Sequence, residues 1–206
     1  MRRTGAVLAT TLALAAGPGA GQVPAPLPSM TAEFREPDLK AVTQVDVSND
    51  GRRVAALAGD EVVLWDLEKR VSLARFRGEE DADRSTLLRF SPDGEFLAVA
   101  WYGGDVDLLE ARSGTRVARM TGMGKGRHWP AFSPDSRRFA LASCREGPVA
   151  VWSLKGLARP GWLTRQIRRW RGPPDIPPDL GPVAGLKREA ICRLRFSDDG
   201  EKLFGI

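Results

Sequence analysis

The chain has 206 residues, of which 42% are apolar and 28% charged, proportions ordinary for a globular protein of one or two domains. A net charge of +5 falls short of the basic bias of a dedicated nucleic-acid binder, and a lone histidine, His128, excludes a multi-histidine metal site within these residues. The 22 glycines and 15 prolines favour turns and loops over helices.

The N-terminus reads as an export signal over residues 1–21. "MRRTG" is a basic start, Ala6–Ala16 is an apolar run too short to span a membrane, and "GPGAGQ" offers small residues for cleavage. Cleavage after Gly21 is expected, with Ala13-Leu14-Ala15 as a competing site; an uncleaved N-terminal anchor is the other reading. Residues 22–40 follow as a linker, extended through "VPAPLPS" (Val23–Ser29). The expected location is therefore extracytoplasmic, periplasmic or secreted, with no transmembrane span once the signal is removed.

From residue 41 onward the chain repeats. "LLRFSPDGEFLAVA" (Leu87–Ala100) sets Ser-Pro-Asp-Gly between two alternating apolar runs, the pattern of a hairpin with one buried face. Pro92 presets a type I turn, Asp93 suits its second position, and Gly94 takes the left-handed conformation. "VDVSNDGRRVAALA", "PAFSPDSRRFALAS" and "LRFSDDGEKLFGI" are variants. Val47, Phe90, Phe132 and Phe196 hold the same place, 43, 42 and 64 residues apart, the last interval being one period plus an insertion. After the first three turns come "EVVLWDL", "DVDLLEA" and "GPVAVWSL", placing Trp65, Leu109 and Trp152 alike, and then a fourth strand: "VSLARFRG", "RVARMTG" and "WLTRQIRRW". Four strands per period of about 40–45 residues is the signature of one propeller blade.

These residues resemble the WD40 repeat family in its bacterial form: Trp65-Asp66 is the naming dipeptide, and Asp93-Gly94 lies in the recurring turn. The resemblance implies an all-β, partial β-propeller. Three complete four-stranded blades are expected at about residues 43–78, 85–122 and 128–171, with the start of a fourth at 190–206 and the ring unclosed in this chain. It also implies a protein-binding scaffold, with Trp65, Asp66, Asp93, Gly94 and Trp152 as structural motif residues. Two departures stand out. The Gly-His pair that ties the family's tryptophan is replaced by Gly78-Glu79, Gly122-Met123 and Gly185-Leu186, so packing is expected to rest on apolar side chains. Ser136 stands where the turn glycine belongs, at a cost of roughly 1 kcal/mol. An arc that stops in its fourth blade has an open edge, through which self-association is possible.

Between Glu146 and Asp175 there is no acidic residue, and Trp162, Arg165, Arg168, Arg169, Trp170 and Arg171 form a candidate partner-binding stretch. Basic residues among aromatics suit anionic surfaces; the plainer reading is a charged outer strand at a blade's edge. Residues 172–189 form a proline-rich insertion, read as a stiff connector between blades three and four on which a binding surface can grow. Glu79, Asp81 and Asp83 alternate on a loop but lack the Ca²⁺-loop pattern, so a solvated loop is preferred. His128 is expected in a loop, packing on Trp129. Cys144 and Cys192 fall on adjacent blades, as a disulfide or as two small buried side chains. No catalytic residue, metal or cofactor is assigned. The expected function is a non-catalytic exported scaffold for an unidentified protein or peptide, with nucleic acid disfavoured. The alternative is an accessory propeller of a larger exported enzyme whose catalytic domain lies beyond residue 206.

Overall fold

A computed structural model describes residues 7–10, 32–35, 39–77, 85–102, 104–121, 126–144, 149–155, 157, 175–176, 191 and 193–205. Strands β1 (Val7–Thr10) and β2 (Ala32–Arg35) pair antiparallel. Blade 1 is the antiparallel sheet β3 (Gln44–Val47), β4 (Arg53–Ala58), β5 (Glu61–Asp66) and β6 (Val71–Arg77). Blade 2 repeats it with β7 (Ser85–Phe90), β8 (Phe96–Trp101), β9 (Val106–Glu110) and β10 (Arg116–Met120). Blade 3 contributes β11 (His128–Phe132), β12 (Arg138–Ser143) and β13 (Ala150–Ser153). β14 (Asp175–Ile176) comes next in the chain, and β15 (Leu194–Phe196) with β16 (Leu203–Gly205) opens blade 4. The described residues form an all-β, open arc of propeller-like blades, with no helix among them.

One turn, made four times, sets the first hairpin of each blade. Ser48, Ser91, Ser133 and Ser197 donate Oγ–H to Asp50, Asp93, Asp135 and Asp199 at 2.6, 2.6, 2.6 and 2.5 Å. Each serine Oγ also accepts the N–H of the residue five positions on, at 2.9 Å in all four turns. The local side-chain bonds that make Ser and Asp poor in regular structure are what close the turn here. Gly51, Gly94, Ser136 and Gly200 take φ of 67°, 70°, 57° and 72°. Ser136 does so with a Cβ, as its sequence position requires, but its Oγ accepts the N–H of Asp93 at 3.1 Å and ties the turns of blades 2 and 3 together.

The motif positions face backwards along the arc. Leu97 and Leu109 of blade 2 pack on Leu57, Val62 and Leu64 of blade 1. Phe139 and Trp152 of blade 3 pack on Leu108, Val117 and Met120 of blade 2, and Trp152 is fully buried. Trp65 lies on the face of blade 1 turned away from blade 2, buried with Val54, Ala56 and Val63. The contact between blades 3 and 4 uses smaller groups, with Ala131, Ala140 and Ala142 against Ile191, Leu194 and Phe196.

Three expectations change. Buried charge, not apolar packing alone, holds the outer parts of blades 1 and 2. Asp107, 4% exposed, accepts from Trp101 Nε1 at 2.8 Å and from Arg119 at 2.8 and 3.0 Å. Glu61 is clasped by Arg75 through two bonds of 2.5 and 2.7 Å, the bidentate geometry that suits a guanidinium to a carboxylate. The insertion does more than connect. Its Asp175–Ile176 pairs parallel with Arg119–Met120 as a fifth strand on blade 2. Ile176 precedes a proline, which biases it to extended backbone, and the pairing covers an otherwise bare edge. Finally, His128 is the first residue of β11, 1% exposed and paired with Ser143, because the hairpin runs one residue further than the loop reading allowed.

Candidate interaction groove

The innermost strands β3, β7, β11 and β15 lie side by side around the inside of the arc. Their turn-forming serines fix the direction of the backbone just before them. Ser91, Ser133 and Ser197 each donate N–H across their own hairpin, to Phe96, Arg138 and Lys202 at 2.9, 3.0 and 2.9 Å. Successive N–H groups of a strand alternate sides, so Phe90, Phe132 and Phe196 present theirs to the preceding blade.

Blade 1 answers with side chains that imitate a neighbouring strand. Gln44 accepts the N–H of Leu88 at 2.9 Å and donates to its carbonyl at 3.1 Å. Asp46 accepts the N–H of Phe90 at 2.6 Å. Burial raises the Asp46 carboxyl above the ordinary aspartate range, an effect that the Phe90 N–H and the Arg89 charge only partly offset. The places of Gln44 and Asp46 are taken by Leu87 and Arg89 in blade 2, and by Trp129 and Ala131 in blade 3. Leu87, Trp129 and Ala131 cannot accept a hydrogen bond through their side chains, and Arg89 can only donate.

Where this side-chain ladder stops, a groove opens. Its volume is about 900 Å³, and its wall is built from all four units: Asn49 of blade 1, Arg89 and Pro92 of blade 2, Trp129–Phe132 of blade 3, and Arg193–Phe196 with Asp198 and Phe204 of blade 4. Asn49, Pro92, Pro134 and Asp198 place its mouth on the side of the arc that carries the Ser-x-Asp turns. Arg89, Arg193 and Arg195 are exposed, Trp129 is half-buried, and Phe204 is 56% exposed. One acid faces the three arginines: Asp198 meets Arg195 at 3.4 Å, an exposed pair of little strength. The groove thus combines an excess of guanidinium donors with two aromatic surfaces, a composition suited to an anionic partner with apolar side chains.

Of the residues singled out in the sequence, Trp65 and Trp152 are buried, and Asp93 and Gly94 lie in the first hairpin turn of blade 2. Asp66 accepts the N–H of Lys69 at 2.9 Å, closing the turn to the outer strand. Trp162, Arg165, Arg168, Arg169, Trp170 and Arg171 lie outside the described residues, as do Glu79, Asp81, Asp83 and Cys192. Cys144, half-buried at the end of β12, donates its N–H to Arg127 at 2.9 Å. No group of three or more His, Cys, Asp or Glu side chains among the described residues is arranged to hold a metal. The groove itself was passed over in the sequence. Its signal was the column Asp46, Arg89, Ala131, Arg195, visible once the four repeats are aligned on Val47, Phe90, Phe132 and Phe196.

No family model matches the chain. The chain is 26% identical over 126 residues to an uncharacterized WD repeat-containing protein of Synechocystis sp., a match covering 61% of this chain and 35% of that protein. It is 27% identical over 123 residues to the activating molecule in BECN1-regulated autophagy protein 1A of Danio rerio, covering 57% of this chain and 9% of that protein. The chain therefore spans about a third of one relative and under a tenth of the other.

Proposed function

We propose that this chain is a non-catalytic, exported scaffold that binds a protein partner in the groove between its inner strands. The observation that carries the reading is the groove's wall, in which loop and strand residues of four repeats present three arginines and two accessible aromatic rings, Trp129 and Phe204, to one space. Similarity to a protein named for its WD repeats supports it. The modest net charge favours a protein partner over nucleic acid. The basic start and short apolar run of residues 1–21 support export.

The test is site-specific crosslinking in the source cell. A photoreactive phenylalanine analogue at Trp129 is expected to form a discrete adduct with one protein, in the extracytoplasmic fraction and on a chain lacking its N-terminal residues. Adducts at an outer-strand control site such as Val71, with none at Trp129, would move binding away from the groove. The second reading, an accessory propeller of a larger exported enzyme, draws on the small share of the relatives' length that the chain matches. Intact mass of the native polypeptide distinguishes the two: a mass well above that of these 206 residues favours the enzyme.

A further inference from the structure

The seam between blades 1 and 2 contains a carboxylate site that the chain fills itself. Asp46 accepts the Phe90 N–H at 2.6 Å and lies within the field of Arg89. The same three components recur one step from the end of the described arc, with one missing. Phe196 repeats Phe90 and Arg195 repeats Arg89, but Ala131 stands where Asp46 would be. Among the described residues, no side chain accepts from the N–H of Phe196, or from that of Phe132 in the seam before it. Both residues line the groove. At Phe132 the side chain offered by the preceding blade is Arg89, a second donor, so a carboxylate seated there would satisfy both groups.

Resting on the groove reading above, we propose that the partner is an acidic, extended peptide segment. One of its carboxylates takes the place beside Ala131, accepting the Phe196 N–H and pairing with Arg195. A neighbouring acid bridges Arg89 and the Phe132 N–H, and apolar side chains between them pack on Trp129 and Phe204. The occupant is chosen by charge, since three arginines face a single acid on the groove wall, and by the chain's own use of aspartate at the equivalent site.

The experiment measures binding of a fluorescein-labelled decapeptide alternating glutamate and valine to the full chain by fluorescence anisotropy, against the glutamine-valine counterpart. The glutamate peptide is expected to bind saturably and the glutamine peptide about tenfold more weakly, the scale of one charge-assisted hydrogen bond. Ala131→Asp supplies the missing carboxylate in cis. It is expected to slow amide exchange at Phe196 and to weaken the glutamate peptide by about tenfold, without lowering the thermal midpoint. Arg195→Gln, at an exposed side chain, is expected to weaken it similarly and decides the matter if Ala131→Asp does not fold. Equal binding of the two peptides, or parent-like binding by both variants, overturns the proposal. A Trp129 crosslink to a partner segment that carries no carboxylate would also overturn it while leaving the scaffold reading in place. Absence of any Trp129 adduct would count against the scaffold reading instead.

Discussion

The first and last described seams of the arc are built to one plan and finished differently. Between blades 1 and 2, Gln44 and Asp46 satisfy the inner edge of β7, Asn49 Nδ2 donates to Pro92 O at 2.9 Å, and large aliphatic groups fill the space behind. Between blades 3 and 4, Trp129 and Ala131 stand in the same places, the packing is alanine-rich, and the groove occupies the inner edge. On the proposed reading, a repeat protein turns one of its own joints into a binding site by replacing the two side chains that satisfy the inner edge elsewhere.

The harshest way to break the first seam is from its outer side. Gly114, at φ 67°, turns the chain between β9 and β10, and a Cβ built on it would lie 2.1 Å from the Cβ of Ala74 on blade 1. Gly114→Ala adds left-handed strain to an overlap between two blades. It is expected to cost about 2–4 kcal/mol in urea unfolding, with the effect confined to blades 1 and 2 by amide exchange. Blade 1 has Arg70 at the corresponding place, at φ 57°, so the fold tolerates the strain alone; the overlap makes Gly114 different.

At the inner side of the same seam, Asp46→Ala removes the acceptor of Phe90 N–H and is expected to cost about 1–2 kcal/mol, with faster exchange at Phe90. Asp46→Asn keeps an acceptor oxygen and relieves the burial of a charge, and is expected to stay within about 0.5 kcal/mol of the parent at neutral pH. If both variants lost equal stability, the charge would matter more than the hydrogen bond. The likeness drawn between Asp46 and an incoming ligand carboxylate would then weaken.

Much of this architecture was legible because turn chemistry is local. Ser-x-Asp followed by a left-handed residue specifies its own hydrogen bonds within six positions, and four copies at near-constant spacing reveal the blade. Trp65 and Trp152 hold equivalent places in the repeat for the same reason, since each lies in the third strand of its blade. What the sequence hid depends on partners far along the chain. Asp107 is one alternating residue among others until Trp101 and Arg119 converge on it. Asp175–Ile176 carries no sign that it will cross back to β10. Nor does Ala131 show that it leaves a place empty, because that place is defined by Asp46, 85 residues earlier.

Acid titration separates the seam from the turns by sign. Asp50, Asp135 and Asp199 are held below the ordinary aspartate range, chiefly by the serine hydroxyls that donate to them. Their contribution is present above the unfolded-state pKa, about 3.8, and is lost as pH falls through the lowered folded-state values. Asp46 is raised, so its contribution is full below 3.8 and is lost as pH rises through its folded-state value. The thermal midpoint of the parent minus that of Asp46→Asn is therefore expected to fall as pH is raised from about 3 to 7. For Asp135→Asn the same difference is expected to rise. A rising difference at both sites would mean that burial does not dominate at Asp46.

The smallest effect is expected at Ser136, where two terms of similar size oppose each other. Glycine in its place would relieve a left-handed residue of its Cβ, worth about 1 kcal/mol, and would delete the acceptor for Asp93 N–H, worth about the same. Ser136→Gly should thus leave global stability within about 0.5 kcal/mol of the parent while speeding exchange at Asp93. Ser136→Ala keeps the strain and loses the bond, and so is expected to cost about 1–2 kcal/mol. If Ser136→Ala were as stable as the parent, the Ser136 bond would contribute nothing measurable. The middle seam would then rest on Phe139, Trp152 and the apolar groups around them, without help from its turns.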